Sequence, residues 1–278
     1  TRFPSVVAGG GQAFVKALSP EGDREAIWAL DVSDPEAPVR TATLDADLGD
    51  GRLALTEEHL LATTPEGLLV LDRSPGGSLE ILGRVATRGL GLRARGDTAF
   101  VSDELSIQIV DLADPANPQI VQTLDLPEGF TYVVDLIVHD DWLYASSWQD
   151  EFPYWSVILA ADVSDPGSAV WEGTTSLPLD ESVHGTAGDG YLYLMSGGAG
   201  GMVFSLADPA APERAGSFVP PVEPQRSVFS LGRLLVGNEA ATAVYDLSDP
   251  LVPRRMEEHD AQGYASGGAM LGDHVLVS

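Results

Sequence analysis

One unit recurs six times along the chain, and it dictates the architecture. A short apolar run ends in Asp31, Asp72, Asp111, Asp162, Ser205 or Asp246, and a Pro, usually as Asp-Pro, follows within four residues. The steps between these positions are 41, 39, 51, 43 and 41 residues. The long step marks an insertion of about ten residues in the fourth repeat. A second apolar run precedes each motif, centred on Phe14, Leu61, Phe100, Tyr144, Tyr193 and Leu235, with a seventh copy at Leu276. A third run lies before those anchors, at Val6, Leu53, Leu92, Leu136, Ala187, Phe229 and Met270. Turn residues such as Gly9-Gly10-Gly11, Arg95-Gly96-Asp97 and Gly188-Asp189-Gly190 separate the two. A further short strand follows each Asp-Pro, for example Val39–Leu44. One repeat is thus four short strands with turn signals between them.

Four antiparallel strands repeated radially make a β-propeller. A lone four-stranded sheet cannot cover both its faces, so neighbouring repeats must stack. The spacing predicts an all-β fold, one propeller over residues 1–278, with repeats at 3–48, 49–87, 88–130, 131–180, 181–223 and 224–263. Residues 264–278 supply two strands of another. The reading is seven blades with the seventh incomplete; a six-bladed ring with an extra hairpin is the alternative. Completion of the seventh blade would require strands from a longer chain or an assembly.

The Asp-x-Ser/Ala-Asp-Pro element falls where the third strand must turn into the fourth. An Asp carboxylate can accept backbone N–H bonds there, and Pro fixes φ. A metal ligand in every blade is the other reading of a repeated Asp. The strand-Asp-Val-Ser-Asp-Pro-x-x-Pro pattern, clearest at Leu30–Pro38, Val110–Pro118 and Tyr245–Pro253, resembles the LVIVD repeat of bacterial and archaeal secreted or surface propellers. The resemblance implies the propeller fold and an extracellular or cell-surface setting. It implies no activity. The second repeat departs from it at Arg73, the fifth at Ser205, and the fourth has Gly167-Ser168-Ala169 where a second Pro is expected.

Composition narrows the function classes. Fifteen Lys+Arg against 42 Asp+Glu give a charge of 15 − 42 = −27, which repels nucleic acid and anionic lipid. No apolar run approaches the roughly 20 residues of a membrane helix. With no Cys there is no disulfide, thiolate metal site or Cys nucleophile. Lys16 is the sole lysine; an acidic, Lys-poor surface suits a salty or extracellular setting, and genomic base composition can produce the same pattern. The first residues, Thr1-Arg2-Phe3-Pro4, carry neither Met nor an apolar leader, which is consistent with a leader trimmed upstream.

The innermost strand of a propeller blade lines the central channel, and the position nine before each anchor falls at its mouth. Those positions are Ser5, Arg52, Gly91, Asp135, His184, Arg226 and Gly267. Arg52, Asp135, His184 and Arg226 can converge on an anion or a sugar, or can pair with one another as a purely structural cluster. The inserted loop of the fourth repeat carries Trp148, Tyr154 and Trp155 and is expected on the same side of the ring. Aromatic rings beside acids fit a sugar or protein contact, or anchor the loop between blades. Asp45, Asp47 and Asp50 have a faint calcium-loop look without EF-hand spacing or a closing Glu, and no other cofactor is implied. No G-x-S-x-G elbow or H-E-x-x-H motif occurs, and the five His fall in different repeats. The expectation is therefore a non-catalytic binding or scaffold module for protein or carbohydrate. A polysaccharide hydrolase or lyase, with two acids at the channel mouth, and a structural unit of a filament or surface layer are the alternatives.

Overall fold

The computed structural model describes residues 5–18, 25–74, 78–89, 91–150, 155–177, 179, 181–221, 224, 226–237, 241–260, 268–272 and 274–277. Blade 1 is β1 (Val6–Gly9), β2 (Gln12–Leu18), β3 (Glu25–Asp31) and β4 (Val39–Asp45). Blade 2 is β5 (Leu53–Leu55), β6 (His59–Thr64), β7 (Gly67–Asp72) and β8 (Ile81–Val85). Blade 3 is β9 (Gly91–Arg95), β10 (Thr98–Ser102), β11 (Ser106–Asp111) and β12 (Gln119–Asp125). Blade 4 is β13 (Phe130–His139), β14 (Trp142–Gln149), β15 (Ser156–Asp162) and β16 (Val170–Leu177). Blade 5 is β17 (His184–Gly188), β18 (Tyr191–Ser196), β19 (Gly200–Ser205) and β20 (Glu213–Phe218). Blade 6 is β21 (Arg226–Ser230), β22 (Arg233–Gly237), β23 (Ala241–Asp246) and β24 (Arg254–Asp260). A last pair, β25 (Gly268–Leu271) and β26 (His274–Val277), forms a two-stranded sheet.

The fold is an all-β propeller of six four-stranded antiparallel blades plus this partial sheet. Among the described residues there is no helix, hence none able to cross a membrane. The first strands stand side by side in the order β1, β5, β9, β13, β17, β21, β25, and β25 touches β1. They enclose a central channel.

The apolar anchors hold the blades together. Phe14, Leu61, Phe100, Tyr144 and Tyr193 are fully buried, and Leu235 nearly so. Phe14 and Ile27 of blade 1 pack with Leu53, Leu60 and Leu71 of blade 2. Phe100 and Ile107 meet Leu136 and Leu143 in the same way, and Tyr144 meets Leu192 and Phe204. Each such side chain contributes about 1.5–3 kcal/mol by burial, and it does so only with the next blade in place. Leu235 and Val244 continue the pattern onto Met270 of the two-stranded sheet.

Each third strand ends at its expected Asp or Ser. The carboxylates of Asp31, Asp111, Asp162 and Asp246 accept the backbone N–H two residues on, at 2.9, 2.9, 2.8 and 2.9 Å. The second Asp of the motif repeats the turn, as Asp34 does with Glu36 at 3.2 Å and Asp249 with Leu251 at 3.1 Å. These are Asx-turns, the structural reading of the motif. They lie at the surface, so the groups they bond are in contact with solvent.

The turn docks on the preceding blade. A Cβ on Gly83 of β8 would lie 2.2 Å from the Pro115 carbonyl oxygen, and one on Gly173 of β16 would lie 1.8 Å from that of Ala210. At the equivalent place in β12, the Gln122 side chain donates to the Ala169 carbonyl at 2.7 Å and accepts the Ala169 N–H at 2.6 Å. Every fourth strand also carries a one-residue bulge against the third. The bulge twists the outer edge and discourages further strand pairing.

Candidate functional site

Arg52, Asp135, His184 and Arg226 do converge. Arg52 immediately precedes β5, His184 and Arg226 open β17 and β21, and Asp135 lies within the longer β13. Antiparallel alternation turns each of these side chains inward at one end of the channel.

Asp135 is the centre of the group, only 7% exposed. Its Oδ1 takes Arg93 Nη2 at 3.0 Å, the Leu136 N–H at 3.0 Å and, at 3.6 Å, Arg52 Nη1. Its Oδ2 takes the Gly185 N–H at 3.2 Å and faces His184 Nδ1 at 3.7 Å. Burial opposes ionisation of this carboxyl, but Arg93, then the His184 ring and Arg52, outweigh it and hold it well below the usual carboxylate range.

Arg93 was not among the expected residues. The mouth position of blade 3 is Gly91, and the charge sits two residues further along β9, on the same strand face. The period-2 alternation of a strand was the signal that could have located it. Arg93 also donates to the Leu92 carbonyl at 3.0 Å.

Arg226 differs from its neighbours. Among the described residues its guanidinium has no hydrogen bond or ion-pair partner within 4.0 Å. Burial first, then Arg52 and Arg93, lower its pKa to about 10, while Asp135 opposes them. It remains a cation at neutral pH.

Two hollows meet at these arginines. The channel below encloses about 300 Å³ and is lined by inner-strand residues including Arg93, Asp135, Ile137 and Phe229. The hollow above, about 770 Å³, is lined by Asp50, Ser102, Glu104, Thr131, Tyr132 and His184, among others. Arg52 and Arg226 line both. The upper hollow is polar at its rim and cationic at its floor.

The inserted loop of blade 4 stands at this end of the ring, because Gln149 pairs with Phe130 and Ser147 with Val133 at the start of β13. Trp155 is 38% exposed and Trp148 half-buried. Tyr154 lies outside the described residues. The aromatic wall of the upper hollow is a different residue: Tyr132, 40% exposed, lines it and stacks on Trp148 with ring centroids 6.1 Å apart. Trp148 therefore backs the wall, because the extra residues at the start of β13 place Tyr132 in front of it.

The other candidates resolve as follows. The Ser5 hydroxyl accepts the Leu53 N–H across the blade 1–2 junction at 3.3 Å. Among the described residues no group of three or more His, Asp or Glu is placed to hold a metal, so Asp45, Asp47 and Asp50 do not converge as a calcium loop would require. The connection they flank is instead held by Glu25, whose carboxylate accepts the Leu48 N–H at 3.0 Å, and by Lys16, whose Nζ donates to the Gly49 carbonyl. Gly267 lies outside the described residues.

Comparison with solved structures agrees on the fold. The chain is similar to BamB from Moraxella catarrhalis, with TM-score 0.57 and 13% identity over 98% of this chain and 78% of that one. It is similar to the periplasmic gluconolactonase of Pseudomonas aeruginosa, with TM-score 0.68 and 13% identity over 94% and 86%. A hypothetical selenium-binding protein from Sulfolobus tokodaii matches with TM-score 0.61 and 14% identity over 94% and 80%. At such identities the likeness carries the propeller fold alone. No family model and no curated protein matches the chain.

Proposed function

We propose that the chain is a binding module that recognises a protein segment or a glycan at the end of the ring where the upper hollow opens. The observation that carries this reading is the hollow of about 770 Å³, with Arg52, Arg226 and His184 in it and exposed Tyr132 along its wall. Concave shape, one aromatic face and a few convergent polar groups are what a ligand site needs. The state of Asp135 supports binding over catalysis. A glycosidase acid needs a raised pKa, whereas Asp135 is held ionised by its neighbours. Glu181, just before β17, accepts the Gly198 N–H at 2.6 Å and ties down a hairpin.

The LVIVD-like repeat, an extracellular or cell-surface location, and seven blades belong to the same reading. Support for the seventh blade is the position of β25, which stands between β21 and β1 as an innermost strand would. Its outer strands would come from sequence or a partner beyond the described residues.

The test is a glycan array together with capture of extracellular proteins, using the intact protein and a Tyr132→Ala/Trp155→Ala variant. Both rings are exposed, so the variant should melt close to the wild type. It should lose the captured partner. Capture undiminished in the variant would show that this face is not the one used.

A further inference from the structure

Among the described residues, the floor of the upper hollow gathers more positive than negative charge. Three guanidinium groups, Arg52, Arg93 and Arg226, surround one buried carboxylate, Asp135. That carboxylate is already engaged by Arg93, Arg52, His184 and two backbone N–H groups. Arg226 has no hydrogen bond or ion pair among the described residues, and Arg52 has only the 3.6 Å approach to Asp135 for its guanidinium. Half-buried guanidinium groups with unused donors form a receptor for a two-oxygen anion, because the fork geometry matches a carboxylate.

The rest of the lining selects among anions. Asp50 and Glu104 are exposed at the rim. They repel a polyanion but can accept hydrogen bonds from hydroxyl groups. Ser102 and Thr131 add hydroxyls, and Tyr132 adds one aromatic face. A floor that takes a carboxylate, a rim that takes hydroxyls and a single ring wall together describe a polyhydroxylated acid.

We propose that the hollow binds an acidic sugar, a monosaccharide or the end of a short oligosaccharide, with its carboxylate on Arg226 and Arg52 and its ring against Tyr132. This inference rests on the reading of the ring face as a binding surface and names the ligand class for it. Arg93 and Asp135 are positioning residues that hold Arg52 and the mouth of β17 from below.

The anion would relieve the repulsion among the arginines, so function and stability should separate at Arg226. Calorimetric titration of the intact protein at about 50 mM salt would compare D-galacturonate, digalacturonate, D-galactose and inorganic phosphate. The acidic sugars should bind about tenfold or more tightly than galactose and than phosphate. Arg226→Met should abolish that preference while the melting temperature stays level or rises, since a repelled charge has been removed. Arg52→Met provides a second variant and should also lose the preference. Equal binding of galactose and galacturonate would overturn the carboxylate assignment, and phosphate bound as tightly as galacturonate would overturn the sugar assignment. Absence of any sugar binding, while the wild type still captures a partner that Tyr132→Ala/Trp155→Ala loses, would overturn this inference and leave the binding-face reading standing. Loss of both would overturn the two together.

Discussion

Asp135 is the residue on which the mouth of the channel depends. Its buried carboxylate faces the guanidinium groups of Arg52 and Arg93 and the His184 ring. Replacement by Asn keeps the shape and removes the counter-charge from the half-buried Arg52 and Arg93. Losing a charge-assisted hydrogen bond of this kind costs about 1.5–3 kcal/mol, so Asp135→Asn should lower the midpoint of urea unfolding. The effect has a defined pH dependence. The folded pKa lies below that of the unfolded chain, about 3.9, so the stabilisation is complete above that value and is lost as pH falls toward the folded one. The gap in melting temperature between wild type and Asp135→Asn should therefore be full at pH 7 and narrow below about pH 4. A gap unchanged at pH 2.5 would remove Asp135 from this role. At this scale the sequence was only partly legible. Counting back from the anchors found Arg52, Asp135, His184 and Arg226, since strand register is a matter of spacing. It missed Arg93, whose guanidinium enters the group from one level deeper, and Tyr132, which stands in front because β13 extends beyond its counterparts in the other blades. Neither is visible from one column of positions.

The Asp-Pro turn works as an element in two ways, and they are separable. Its Asx-turns shape the chain between third and fourth strands, while its backbone rests on the fourth strand of the blade before it. The first role is exercised at the surface: Asp162 makes its 2.8 Å bond to the Ser164 N–H in contact with solvent. The second needs bare backbone, as at Gly173, where a Cβ would stand 1.8 Å from the Ala210 carbonyl oxygen. Gly173→Ala should thus cost about 1–3 kcal/mol through forced separation of blades 4 and 5, and Asp162→Ala should leave the melting temperature close to that of the wild type. The reverse order in thermal melts would show that the turn's internal bonds, not its docking, matter most. The strands and turns were legible because alternation and turn residues recur in every repeat. The docking was not, since the residue opposite the turn is Gly83, Gln122 or Gly173 according to the blade, and the shared feature is a place in space rather than a residue type.

Across the whole molecule, the repeat period and the buried anchors were sufficient to specify a propeller, because only neighbouring blades can cover each sheet. Charge is the property that only the whole chain possesses. Net −27 is spread over the molecule, while the mouth of the channel gathers arginines around one carboxylate. These two features should respond to salt in opposite directions. At about 10 mM salt the screening length is about 30 Å, which leaves surface carboxylates on neighbouring blades repelling one another; at 1 M it is about 3 Å. The melting temperature should rise with NaCl over that range, because self-repulsion opposes the compact state. The affinity of the mouth for an anion should fall over the same range, since the attraction at the floor is screened and chloride competes for the guanidinium groups. A melting temperature flat from 10 mM to about 1 M NaCl would mean that the acidic surface exerts no net strain on the fold. An anion affinity that rises in step with stability would mean that salt acts on the site by tightening the ring, and not by screening its charges.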